Sequence, residues 1–149
     1  MIHCNSSTFY VLRGDGNNSL TWATFNGNWP LTINLENNDA TFGGNLTAVS
    51  NVTAYSDERL KKDWSSLSPT FLQDLAKVKC GTYTRIDSGE RQVGASAQDV
   101  QKIIPEAVME DSNGTLSLAY GNAALVAVIK LTEEVLALKE ELRQLKENK

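Results

Sequence analysis

The sequence predicts an α+β chain built from a β-rich first part, a small mixed α/β domain and a long C-terminal helix. Two observations carry this reading. Residues 1–55 hold only four charges, Arg13, Asp15, Glu36 and Asp39, and are crowded with Asn, Thr and Gly. Residues 57–149 are ordinary charged, helix-forming sequence that ends in a heptad repeat. The segment Ser56-Asp57-Glu58-Arg59-Leu60-Lys61-Lys62-Asp63-Trp64-Ser65-Ser66 divides the two chemistries. The shift in composition argues for two unequal parts, residues 1–56 and 57–149.

In the first part, short apolar or Thr-rich runs alternate with turn signals. Thr8–Leu12, Leu20–Phe25, Leu31–Leu35 and Ala40–Phe42 read as strands. Asn and Gly tolerate the positive φ that tight turns demand, so Gly14–Asn18, Asn26-Gly27-Asn28, Glu36–Asp39 and Gly43-Gly44-Asn45 read as the connections. A segment this short rarely buries a sufficient core alone. Its low charge and regular punctuation fit an intertwined β-structure shared among several chains, with a small β-meander as the alternative.

In the second part, Ser68-Pro69 opens a helix as N-cap and first residue, and Phe71, Leu72, Leu75 and Val78 mark its apolar face through Lys79. Gly81 ends it. Thr82–Ile86 and Gln92–Ala95 read as strands around the turn Asp87–Glu90. A short helix covers Ala97–Ile104 and stops at Pro105, and Leu116–Tyr120 reads as a further strand.

Residues 121–149 form the most regular segment. With Gly121 at heptad position a, the a positions are Gly121, Val128, Val135 and Leu142, and the d positions Ala124, Leu131, Leu138 and Leu145. Glu134 at g can pair with Lys139 at the next e, and Glu141 with Lys146, across two helices of a coiled coil. Leu125, Ile129 and Leu136 widen the apolar face, which predicts that the helix also packs on its own domain. Val at a with Leu at d does not choose between two strands and three.

Composition excludes several functions. A net charge of −4 and a pI near 5.0 provide no electrostatic basis for binding nucleic acid or anionic membrane. No apolar run approaches a membrane span, and the first residues lack a secretory pattern. Cys4 and Cys80 lie far apart and His3 is the only imidazole, so neither a disulfide framework nor a metal site is expected. No cofactor is implied.

Four motifs in order resemble the C-terminal intramolecular chaperone domain of phage tail spikes and fibres, the peptidase S74 domain of endosialidase type. They are Ser56-Asp57-Glu58-Arg59-Leu60-Lys61, Gly94-Ala95-Ser96-Ala97-Gln98-Asp99-Val100, Ile104-Pro105-Glu106-Ala107-Val108, and Tyr120 ahead of an Ala- and Val-rich helix start. Asp99 stands where that pattern has Glu, and Ala95-Ser96 replace bulkier residues. The resemblance spans residues 56–149 and implies a trimeric coiled coil whose seam is Val128, Leu131, Val135, Leu138, Leu142 and Leu145. It implies a homotrimer that registers an upstream fibre or spike chain as its folding client and then cuts itself free. Assembly would take place in the host cytoplasm. The mature fibre, ending in residues 1–56, would join the virion tail and meet a host surface receptor, while the chaperone domain is released.

By the same resemblance the cut falls at Ser56-Asp57, with Ser56 and Lys61 catalytic. A serine hydroxyl needs a base, and a lysine base must first lose its proton, which burial or cationic neighbours such as Arg59 and Lys62 would favour. Residues five apart on one helix point about 140° apart, so Ser56 must precede a turn or meet a lysine of another protomer. Attack by Ser56 on the carbonyl before it would instead cut Tyr55-Ser56. The plain structural alternative makes Ser56 a helix N-cap with acids in the first turn. The functional alternative is a non-cleaving trimeric receptor-binding tip, with Tyr10, Trp22 and Trp29 as contacts.

Overall fold

The computed structural model describes residues 1–17 and 19–148. Asn18, in the first turn, and Lys149, at the end of the expected coiled coil, lie outside the described residues. The chain divides into two compact units, Met1–Lys62 and Asp63–Lys149.

The first unit is an antiparallel sheet of four strands in sequence order: β1 (Ile2–Cys4), β2 (Thr8–Val11), β3 (Leu31–Asn34) and β4 (Ala40–Phe42). These strands pair in sequence order within the chain, as in the meander alternative. β1 escaped the sequence reading because three residues are too few to show alternation. The expected strand Leu20–Phe25 is only a pair of isolated bridges, Gly14 to Trp22 and Phe25 to Asn28. The second bridge closes on Asn26-Gly27, whose φ values of 51° and 78° supply the left-handed turn that the Asn-Gly signal predicted. After Phe42 the chain has no strand or helix until residue 58.

The second unit contains all four buried side chains among the described residues: Phe71, Val100, Ile104 and Ala107. They come from α1 (Phe71–Leu75), α2 (Ala97–Gln101) and the segment that follows α2. α1 starts two residues later than the Ser-Pro signal indicated. Ser68 accepts from the Thr70 amide at 3.2 Å, which turns the chain into the helix rather than capping it directly. β5 (Cys80–Thr84) and β6 (Arg91–Ala95) form the expected hairpin. Ser96 caps α2 by accepting from the Asp99 amide at 3.3 Å. Asp99, the departure from the family pattern, accepts from the Lys79 amide at 3.3 Å and from Lys102 at 3.1 Å, so it ties α2 to the start of β5. α2 stops at Gln101, short of the expected Ile104, and Pro105 opens a separate short 3-10 turn, which leads into β7 (Val108–Glu110) paired with β8 (Leu116–Leu118).

α3 runs Tyr120–Glu147, a length of about 42 Å at 1.5 Å per residue. Its first turns dock on the core through Ala123, Val126 and Ala127. The sequence expected Leu125, Ile129 and Leu136 to serve this purpose, but they are exposed. Small side chains let the helix approach closely, and the larger ones point away from the core.

Candidate functional site

Ser56 and Lys61 lie on either side of one turn. Asp57, in extended backbone with φ −65° and ψ 127°, is the N-cap of the 3-10 turn Glu58–Leu60. Its carboxylate accepts from the Arg59 amide at 2.9 Å, and Lys61 closes the turn by donating its amide to the Glu58 carbonyl at 2.9 Å. Lys61 is itself extended, with φ −123° and ψ 144°. The chain therefore reverses between two extended residues, and the five-residue spacing that would separate them on a helix instead brings them together. Lys61 Nζ donates to Ser56 Oγ at 2.8 Å.

This geometry decides two points the sequence left open. Ser56 is not the N-cap; Asp57 is. The lysine that reaches Ser56 comes from the same chain, so the contact needs no second protomer. The Asp-x-Arg spacing held the signal for the cap, since Asp caps as readily as Ser.

Arg59 also has a different position from the one expected. Its guanidinium grips Asp57, with Nε donating to both carboxylate oxygens at 3.1 Å and Nη2 to Oδ2 at 2.6 Å. This grip first, the Arg59 amide second and the Lys61 charge after them hold the Asp57 carboxyl below the usual aspartate range. Asp57 in turn raises Arg59. The fork fixes the residue just after Ser56, rather than acting as a cationic neighbour of Lys61. Lys62 is the exposed last residue of the unit.

The site is open in the isolated chain. Ser56 and Lys61 are exposed, and their apolar neighbours Tyr55 and Leu60 are 101% and 78% exposed. Elsewhere in the first unit, His3, Tyr10, Leu12, Trp22 and Trp29 line a cavity of about 550 Å³. Among the described residues no group of three or more His, Cys, Asp or Glu side chains is placed to hold a metal ion. Among them, too, no helix is long and apolar enough to cross a membrane.

The seam residues of α3 are all exposed: Val128, Leu131, Val135, Leu138, Leu142 and Leu145 are each 41% to 62% accessible. Charges on the outer side pair within the helix, Lys130 with Glu133 and Arg143 with Glu140 and Glu147. The charges that flank the seam, Glu134, Lys139, Glu141 and Lys146, make no such pair among the described residues.

Residues 56–109 match the family model of peptidase S74, described as the chaperone of endosialidase. The matched span starts at Ser56 and takes in the first three motifs. The chain is also similar to the long tail fiber protein Gp37 of Enterobacteria phage Ox2, at 33% identity over 104 residues, covering 65% of this chain and 41% of that protein. The Gp37 of Enterobacteria phage M1 is 33% identical over 98 residues, 61% of this chain and 38% of that one. The chain thus spans about two fifths of the length of these relatives.

Proposed function

We propose that this chain, whose residues 56–109 match the peptidase S74 chaperone-of-endosialidase family, is a self-cleaving intramolecular chaperone of a phage tail fibre or spike. Three copies associate through α3 and hold the upstream β-structure in register while it folds. The chaperone then separates by cutting Ser56-Asp57. The Ser56–Lys61 contact at 2.8 Å carries this reading, because it joins a weak nucleophile to a side chain that can act as its base once deprotonated.

In the charged state the ammonium donates to the hydroxyl. Once Lys61 has lost its proton, the contact reverses and Ser56 Oγ–H donates to the amine. Attack by Ser56 on its own carbonyl would close a four-membered ring. The nucleophile at the Ser56 carbonyl is therefore a water activated by the pair or the Ser56 hydroxyl of a neighbouring chain. In either case a C–O bond forms, the Ser56–Asp57 C–N bond breaks, and Lys61 passes the proton to the departing Asp57 nitrogen. With the serine route, water then hydrolyses the ester. Arg59 holds Asp57, and so the leaving nitrogen, in one orientation.

Exposure links cutting to assembly. Association that covers Tyr55 and Leu60 removes water from Lys61 and favours the neutral amine. A chain that has not assembled leaves the site open and stays whole. Long intertwined β-structures fold slowly and expose aggregation-prone surface while they do so. A terminal clamp raises the local concentration of the strands, and its removal makes the product kinetically stable. Similarity to the Gp37 proteins supports a place in the virion tail for the mature fibre, with a host surface receptor as its partner and host cytoplasm as the place of assembly.

The test is intact mass spectrometry of the purified chain beside Ser56→Ala and Lys61→Ala, with native mass of each. Trimers in all three, with fragments ending at Ser56 and starting at Asp57 in wild type alone, are expected. Fragments split at Tyr55-Ser56 would move the attack to the preceding carbonyl. A wild-type trimer that stays whole would leave a folding clamp without a protease.

The open aromatic cavity around Tyr10, Trp22 and Trp29 favours a second reading, in which the β-rich part is itself a receptor-binding tip. That tip requires no cleavage, and a whole trimer that still binds cells would support it.

A further inference from the structure

Two rows of side chains share one face of the N-terminal sheet. Met1, His3 and Asn5 lie along β1 and its flanks, and Tyr10 and Leu12 along β2. His3 stands opposite Tyr10 in the pairing register, and the Leu12 amide extends the ladder by donating to the Met1 carbonyl at 2.8 Å. Alternation with a period of two turns every second residue to the same side, so these five side chains line one cavity. The β2–β3 connection supplies the rest of its wall, Trp22 and Trp29.

Backbone contacts hold both tryptophans in place. Trp22 bridges to Gly14. On either side of that bridge the Ala23 amide donates to the Arg13 carbonyl at 3.3 Å and the Asp15 amide to the Thr21 carbonyl at 3.0 Å. Trp29 sits against Gly43, where a Cβ would collide with the Trp29 carbonyl oxygen. The Trp29 ring meets Tyr10 edge to face at 6.5 Å, and Tyr10 lies 6.0 Å from the His3 ring.

The polar groups of this wall have no partner among the described residues. The Asn5 Oδ1 accepts from the Ser7 and Thr8 amides at 3.0 and 2.7 Å, which fixes the side-chain amide and leaves its Nδ2 without a hydrogen bond among them. The same holds for the Tyr10 hydroxyl, the His3 ring and both indole N–H groups. No Asp, Glu, Lys or Arg side chain lines the cavity.

These features select a ligand by its chemistry. A nucleotide or an acidic sugar would need a cation here. A quaternary ammonium or an alkyl group would strip water from the polar groups and give them no partner in return. A neutral pyranose meets both demands. Its C–H face lies on the partly negative face of an aromatic ring, and its hydroxyls pair with N–H and O–H groups. The cavity volume of about 550 Å³ falls in the range of roughly 300–1,000 Å³ usual for small-ligand sites.

We propose that this cavity binds one neutral pyranose unit of a surface glycan, stacked on Trp22, with Asn5 Nδ2 and the Tyr10 hydroxyl bonded to its hydroxyls. Trp22 is the platform because it is 42% exposed, whereas Trp29 is half-buried and engaged with Tyr10. The inference rests on the reading of the β-rich part as a receptor-binding tip and names the chemical class of that receptor.

The full chain is titrated by amide NMR with glucose, galactose, mannose and N-acetylglucosamine, and with choline as a cationic control. Adsorption of the labelled chain to enterobacterial cells is measured in parallel. At least one sugar is expected to shift the indole signals of Trp22 and Trp29 to saturation with a Kd of about 1–10 mM. Asn5→Asp keeps the acceptor for Ser7 and Thr8 but removes the donor, and should weaken binding about 10-fold or more. Trp22→Ala should abolish it, while Phe25→Ala, outside the cavity, should leave it unchanged. Backbone amide spectra of the variants check that each is folded. No response to any of the four sugars, or a response to choline alone, overturns the inference. Adsorption to cells in that case leaves the receptor-binding tip standing, and absence of adsorption removes both. Sugar binding that Asn5→Asp and Trp22→Ala do not change also overturns it.

Discussion

Gly94 packs directly against Tyr120. A Cβ at Gly94 would lie 2.5 Å from the Tyr120 hydroxyl and 3.3 Å from the Tyr83 ring. The same hydroxyl accepts from the Ala95 amide at 3.4 Å, so the first residue of α3 is seated on β6. Two motifs 26 positions apart in sequence thus meet at one oxygen atom.

Gly94→Ala is expected to lower stability by about 1–3 kcal/mol through overpacking. Tyr120→Phe alone removes a hydrogen bond and is expected to cost about 0.5–1.5 kcal/mol. In the double variant the clash with the hydroxyl is gone, so the combined loss should fall short of the sum. Urea unfolding of the four proteins checks this, and strict additivity would contradict the contact.

The grip of Arg59 on Asp57 is readable by titration. The native carboxyl titrates below its unfolded value near 3.9, so the stabilisation it provides is present above that pH and is lost as pH falls through the lowered native value. Carboxyl NMR should show the Asp57 midpoint rising toward the ordinary value in Arg59→Gln. Arg59→Lys should recover only part of the shift, because an ammonium cannot reproduce the planar fork. Self-cleavage should slow in the same order.

Lys61→Arg separates charge from basicity. It keeps the cation beside Ser56, but a guanidinium does not give up its proton at neutral pH. The chain should form trimers and remain whole, as with Lys61→Ala, while Lys62→Ala should still cut. Gel analysis of freshly assembled protein over time reads all three.

The seam of α3 predicts oligomeric state. Leu138→Asp places a charge at a d position that the structure leaves 48% exposed, and native mass should shift from trimer toward monomer. Under the proposed coupling of cutting to assembly, that variant should also remain whole. Exchanging Glu134 and Lys139 for each other should preserve the trimer, since the pair is swapped rather than lost.

Phe71 is 2% exposed in a core that has four buried side chains among the described residues. Phe71→Ala is expected to cost about 3–5 kcal/mol and to unfold the second unit near ambient temperature. Circular dichroism at 222 nm should show loss of α1 and α2 signal.

The sequence by itself determined most of the local structure, because that structure depends on periodicity and turn chemistry. The heptads located α3 to within a residue or two and Asn26-Gly27 placed its turn, whereas α2 ended at Gln101, ahead of Pro105. It also located Ser56 and Lys61 in one motif. Leu20–Phe25 was misread because alternating apolar residues describe a strand only if a partner strand lies beside them, and no local pattern reports that partner. Which small residues of α3 touch the core was likewise hidden, since Ala123 and Ala127 look featureless until the space left for them is known.

Tertiary geometry alone decided the rest. Whether Ser56 or Asp57 capped the turn determined whether the serine was free to meet the lysine, and both are good caps. The role of Arg59 followed from that choice, because a guanidinium goes to the nearest fixed carboxylate rather than to another cation. The two rows on the N-terminal sheet emerged only from strand register, since a shift of one residue would have turned the same side chains to the other face.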